Sequence, residues 1–240
     1  MNNEQVQWKI LDVFKECDIQ SFPINIFKLI EHYGYEVCEY SEQSAMKQAA
    51  CMDISEDAFR LKKCVYYNDT VSPFRRRFSL AHELGHIILK HIEPYTLRME
   101  NEANYFASNI LAPRIAIHYA QCRNATHIEN RFNLSRSASK IAYEDYLQWR
   151  YSITQYGIRK IDQCMYDHFY DDFKHCFVWH RSICPRCHTD LINQIECGSG
   201  ECEKNLRGQK CLDAIMTGRL YATMQRQIDK EYIKYNHGYY

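Results

Sequence analysis

Between residues 4 and 17 the apolar side chains Val6, Ile10, Val13 and Phe14 recur at helical spacing, so the chain opens on an amphipathic helix. A turn follows at Ser21-Phe22-Pro23, and Ile24 to Tyr33 predicts a second helix stopped by Gly34. Tyr35–Tyr40, Ala50–Ile54 and Cys64–Tyr67 then read as short strands of a small antiparallel sheet, the last ended by Asn68-Asp69. From Pro73 to Lys90 the core-type residues Phe74, Phe78, Ala81, Leu84, Gly85 and Ile88 fall at helical spacing. Ser72 is placed to cap that helix, and Pro73 suits its first turn. A further helix is expected from Thr96 to Leu111, stopped by Pro113, and residues 114–160 read as helical with a break at Asn133-Leu134-Ser135.

Past residue 160 the texture changes. Tyr, His and Cys become dense, Phe177-Val178-Trp179 suggests a strand, and a charged amphipathic tail from Cys211 to Tyr235 predicts a helix. The expected organisation is a domain over residues 1–160 followed by a smaller module over 161–240. The pattern of elements makes the fold class α+β.

Composition narrows the function classes. Lys plus Arg and Asp plus Glu both number 30, so no general electrostatic pull toward nucleic acid or anionic lipid follows. No apolar run is long enough to span a bilayer, and Met1–Gln20 has no apolar signal-peptide segment, so a cytoplasmic, non-membrane protein is expected. In a reducing compartment clustered thiols read as metal ligands and scattered ones as core residues. Cys17, Cys38, Cys51, Cys64 and Cys122 belong to the scattered class.

The chemistry concentrates in His82-Glu83-Leu84-Gly85-His86. Residues four apart stack on one helix face, so His82 and His86 project together and can hold one Zn²⁺. Glu83 lies beside such a metal, where a general base must sit to take a proton from the attacking water. Gly85 leaves out a side chain between the two histidines and lets another element approach closely.

A catalytic zinc needs a third protein ligand. The metzincin pattern fails, because the positions it would fill with Gly and His carry Leu89 and Ile92. The next helix offers Glu100 and Glu102. Its apolar stripe is Ala103, Phe106, Ala107, Ile110 and Leu111; Glu100 falls about 50° from the stripe's centre and Glu102 about 110° away. Glu100 is therefore the expected ligand and Glu102 a solvated residue, with replacement of one by the other left open. Asn104, one turn beyond Glu100, can accept from the outer N–H of a ligating histidine.

Arg75-Arg76-Arg77-Phe78-Ser79-Leu80-Ala81-His82-Glu83-Leu84-Gly85-His86, with Glu100-Asn101-Glu102-Ala103-Asn104-Tyr105-Phe106-Ala107 and Leu111-Ala112-Pro113, resembles the ImmA/IrrE family of metallopeptidases over residues 20–145. The resemblance implies a minimal zincin-like core of helices on a small sheet. His82, His86 and Glu100 would match that family's ligands for a catalytic Zn²⁺, and Glu83 its catalytic base. It also implies a substrate class: helix-turn-helix repressors that silence mobile elements or stress genes. Arg75 and Arg77 read as a solvated helix start, with contact to substrate backbone as the alternative.

Two further features lie outside that core. Arg131-Phe132-Asn133-Leu134-Ser135 and the run after it resemble a helix-turn-helix, and residues 123–160 hold seven Arg or Lys against three Asp or Glu. A helical pair completing the peptidase core is the expected role, with DNA or repressor contact as the other. Cys184-Pro185-Arg186-Cys187 has zinc-knuckle spacing, and Cys197 and Cys202 follow with Gly198 and Gly200 between them. These four thiolates predict a structural zinc in a ribbon-like module, with His188 or Cys211 as possible replacements for one ligand. The competing reading of the whole chain is a DNA- or repressor-binding protein stabilised by zinc and without hydrolytic activity.

Overall fold

In the computed structural model, which describes residues 1–194 together with Cys197, Gly198 and Cys202, the chain begins with α1 (Asn3–Glu16). Asn2 and Gln5 cap it reciprocally, each side chain accepting from the other's backbone N–H. α2 (Ile26–His32) starts on Asn25, whose side chain accepts from the Phe27 and Lys28 amides. Then follow β1 (Glu36–Glu39), α3 (Ala45–Ile54), β2 (Ala58–Leu61) and β3 (Cys64–Tyr67).

The sheet differs from expectation in two ways. Its order is β1-β3-β2, with β1 parallel to β3 and β2 antiparallel to it, so the sheet is mixed. A parallel pair needs a crossover, and α3 and β2 supply it. Ala50–Ile54, expected as a strand, is the second half of α3, because Met46, Lys47, Gln48, Ala49 and Ala50 are strong helix formers that carry it along. The second strand is instead Ala58–Leu61, hidden in the sequence by Arg60 and its charged flanks.

α4 (Pro73–Ile88) has Ser72 as its cap, with the side chain accepting from Arg75 N at 3.3 Å. α5 (Leu97–Leu111) starts on Thr96, which accepts from Met99 N. α6 (Arg114–Tyr119), α7 (Ala125–Phe132), α8 (Arg136–Tyr156) and α9 (Lys160–Phe169) follow, then the hairpin β4 (Tyr170–Asp171) and β5 (Cys176–Phe177). The helical stretch after 113 thus breaks at Gln121–Asn124 as well as at Asn133, which closes α7 in the left-handed region. The strand expected at 177–179 keeps only Phe177.

One apolar core runs through these elements, with Phe14, Phe22, Phe106, Phe132 and Phe169 fully buried. Ile128, Phe132, Leu134, Ala142, Tyr146 and Trp149 belong to it, so α7 and α8 complete this core. Among the described residues no helix is long and apolar enough to cross a membrane.

The chain divides into two compact units, Met1–His180 and Arg181–Tyr240. α9 packs on α1 and α6 and belongs to the first. In the second, β6 (Arg181–Ile183) pairs antiparallel with β7 (Asp190–Ile192). The helix expected over 211–235 lies outside the described residues.

Candidate metal centres

α4 presents His82 and His86 on one face, and α5 brings Glu100 to them. The two imidazole Nε2 atoms are 2.9 Å apart, and Glu100 lies 3.2 Å from His82 Nε2 and 3.7 Å from His86 Nε2. Four-coordinate zinc with bonds of about 2.0–2.1 Å keeps its ligand atoms about 3.3–3.4 Å apart. The observed spacings bracket that value. Gly85 makes the approach of α5 possible, since a Cβ there would sit 3.2 Å from Ala103 Cα, from the Ala103 carbonyl and from the Phe106 ring.

The outer nitrogens are already engaged. His82 Nδ1 lies 2.9 Å from Asn104 Oδ1, and His86 Nδ1 lies 3.1 Å from His91 Nδ1. His91 Nε2 in turn lies 3.1 Å from Glu102 Oε2. A carboxylate only accepts, so neutral His91 carries its proton on Nε2 and accepts through Nδ1. His86 then donates through Nδ1, and His82 does the same toward the Asn104 oxygen. Both Nε2 lone pairs therefore face each other, beside a carboxylate. Such an arrangement could hold a cation, and a donor set of two imidazoles and a carboxylate is of a kind that Zn²⁺ takes.

His91 went unseen in the sequence. It reaches His86 because α4 ends in a Schellman turn: Lys90 is left-handed (φ 57°), His91 N donates to His86 O at 3.0 Å, and Lys90 N to Ile87 O at 3.2 Å. No periodicity marks a reversal made by a left-handed lysine. Glu102, expected in solvent, is half-buried and also accepts from Arg98 and from the Met1 amine. The helical-wheel angle placed it correctly off the α5 stripe, but the returning His91 segment covers that side.

Tyr95 and Arg60 are the other unforeseen members. The Tyr95 ring stacks on His86 with centroids 3.9 Å apart, and Arg60 Nη2 donates to the Tyr95 hydroxyl at 2.9 Å. Arg60 sits on β2, the edge strand beside α4, and its charge and backbone amide both favour the ionised form of the Glu83 carboxyl. Burial pushes the Glu83 carboxyl up to about 8, opposed by Arg60 and reinforced by Glu100 and Glu93. A cation held by the neighbouring donors would draw it down again. A carboxylate held near neutrality can both take and return a proton. Burial, then His82, His91 and Arg60, push His86 down to about 3, which keeps its imidazole neutral as ligation requires.

Arg75 and Arg77 both hold partners within the chain, with the Arg75 side chain still 41% exposed. Arg75 Nη2 donates to Asp57 at 3.0 Å. The Arg77 guanidinium donates to the carbonyls of Ile24, Phe132 and Asn133, tying α4 to two loops. Cys38 and Cys64, expected as separate core thiols, form a disulfide between β1 and β3, whose pairing brings the two residues within reach. Cys17, Cys51 and Cys122 remain unbridged and at least half-buried.

In the second unit the four sulfurs of Cys184, Cys187, Cys197 and Cys202 converge within 4.8 Å. Cys184 and Cys202 are 3.9 Å apart and Cys187 and Cys197 3.5 Å. Tetrahedral zinc–thiolate bonds of about 2.3 Å would set sulfurs about 3.8 Å apart. Cys184 N donates to Thr189 O and His188 N to Cys184 O, which folds the knuckle. His188 is not part of this cluster, and Cys211 lies outside the described residues.

Residues 30–144 match the peptidase family described as the IrrE N-terminal-like domain, a span that holds β1 to α7 and every member of the His–Glu site. No curated protein matches the chain.

Proposed function

We propose that this chain, which carries an IrrE N-terminal-like peptidase domain over residues 30–144, is a zinc-dependent endopeptidase whose substrate is a helix-turn-helix transcriptional repressor of mobile-element or stress genes. The observation that carries the reading is the buried Glu83 beside three convergent donors, His82, His86 and Glu100. A purely structural metal site has no use for a base at that position.

Zn²⁺, when bound by these donors, supplies Lewis-acid polarisation of water and of the scissile carbonyl. Glu83 accepts the proton of the attacking water and returns it to the leaving amine. Arg60 and Tyr95 place positive charge and a hydroxyl beside Glu83, where the carbonyl oxygen gains negative charge. In the second unit the four cysteines leave no open position, so a zinc there would be structural. The repressor substrate rests on the family resemblance, and a cytoplasmic location on the sequence alone.

The test combines metal analysis with cleavage. The wild type should carry about two zincs, with His86→Ala and Cys184→Ser each losing one. Loaded protein should cut a helix-turn-helix repressor, and Glu83→Gln should keep its metal and lose the cut. Unchanged cutting by Glu83→Gln would sink the mechanism. The second reading draws on α7 and α8, whose three-residue connection leaves Arg136 and Lys140 exposed. A non-hydrolytic DNA- or repressor-binding protein would show salt-sensitive DNA binding that survives Glu83→Gln.

A further inference from the structure

His91 and Glu102 lie behind the metal face and touch none of the three convergent donors except through His86. His91 is buried, at 6% exposure, and has a polar atom at each ring nitrogen. A histidine that merely filled space would not need both. Glu102 comes from α5, the same helix as Glu100, while His91 comes from the turn that reverses α4. The chain Glu102–His91–His86 therefore crosses the two metal-bearing helices a second time, behind the site.

We infer that His91 is a positioning residue that, held by Glu102, fixes His86 as the Nδ1–H tautomer and fixes its ring plane, so that Nε2 is free for metal; this rests on the zinc-peptidase reading. The logic runs outward to inward. The Glu102 carboxylate can only accept, which leaves the His91 proton on Nε2 and its Nδ1 lone pair toward His86. That lone pair requires a proton on His86 Nδ1 and so none on Nε2. Without His91 the neutral His86 ring could carry its proton on Nε2, where it would have to be displaced before ligation. The Tyr95 ring, stacked on one face of His86, limits rotation but cannot select a tautomer. Partners of this kind are worth about 10–100-fold in metal affinity.

Glu102 is suited to the part. One carboxylate oxygen accepts from the Met1 amine and from Arg98 Nε, and the other lies 3.1 Å from His91 Nε2. With donors reaching both of its oxygens, it is the acceptor that the tautomer argument demands.

The test uses the full-length chain. Competition titration with Zn²⁺, and the visible spectrum of a Co²⁺-loaded protein, read the affinity and geometry of the His–Glu site. His91→Phe keeps a ring but no hydrogen bonds, and should weaken that site about 10–100-fold. His91→Gln, whose amide can accept from His86 and donate to Glu102, should recover most of the loss. Long-range ¹H–¹⁵N spectra of the chain as purified should show His91 as the Nε2–H tautomer, whatever the metal content. His91→Phe binding metal as tightly as the wild type, or an Nδ1–H tautomer at His91, would overturn the inference. His86→Ala retaining its full zinc would overturn the metal-site reading and the inference with it, a result distinct from either of those.

Discussion

Gly85 faces Ala103 so closely that a Cβ at position 85 would lie 3.2 Å from both the Ala103 Cα and its carbonyl oxygen. Three residues before Ala103, on the same helix, stands Glu100. The distance between α4 and α5 at Gly85 thus sets where the third donor sits relative to His82 and His86.

Gly85→Ala tests that coupling. In an exposed helix interior the change would stabilise by about 1 kcal/mol. Here the clash is with backbone, and overpacking costs about 1–3 kcal/mol, so the net effect should be destabilising. The same shift should move Glu100 away from the histidines and weaken zinc binding. Denaturation midpoints and metal titration of one variant check both, and a more stable Gly85→Ala with unchanged affinity would refute the coupling.

How much of this could be read beforehand follows the type of constraint. His82, Glu83, His86, Glu100 and Asn104 obey helical periodicity, and the structure brings all of them to one place. Gly85 was legible as a close approach, although not which residue approaches. His91, Tyr95 and Arg60 were not legible, because a left-handed turn, a loop and a four-residue edge strand bring them in. Such contacts depend on tertiary packing and leave no period in the sequence. For the same reason β2 and the parallel pairing of β1 with β3 escaped, while the long helices did not.

Tyr95→Phe should separate packing from chemistry. The phenyl ring keeps the stack on His86, so metal content should not change. The hydroxyl accepts from Arg60 Nη2 at 2.9 Å and donates to Glu93 at 3.4 Å, and its loss would remove a donor from where the proposed mechanism puts the scissile carbonyl. By analogy with single oxyanion donors, kcat should fall about 10²–10³-fold. Arg60→Ala should lower it as well, and a cleavage assay at saturating substrate reads both. Wild-type kcat in Tyr95→Phe would assign the oxyanion to another group.

His118 should make the first unit acid-sensitive. Burial, and after it Arg150, push this histidine below its ordinary value, and Nδ1 lies 3.2 Å from the Tyr146 hydroxyl. A depressed folded value means the unfolded chain takes up a proton that the folded one resists. Stability contributed by neutral His118 is therefore complete above the unfolded value of about 6.5 and is lost as pH falls toward the folded one. His118→Gln cannot titrate and should lose less stability than the wild type between about pH 7 and pH 5. Equal acid losses in urea denaturation would show that His118 contributes nothing to the pH dependence.

Metal removal should affect the two units unequally. The first is built around five fully buried phenylalanines, and its fold does not hang on three donors on the facing sides of α4 and α5. In the second, the buried cluster among the described residues consists of Leu191 and the cysteines themselves. So small an apolar core contributes little, and zinc binding to four thiolates, worth about 10–16 kcal/mol in small zinc domains, would supply the folding energy. A thiol-reactive mercurial that displaces zinc should therefore make residues after 180 sensitive to protease while Met1–His180 stays resistant. Cys184→Ser should reproduce that pattern without reagent, and His86→Ala should not. A second unit that resists protease equally with and without metal would mean that these cysteines hold no structural ion.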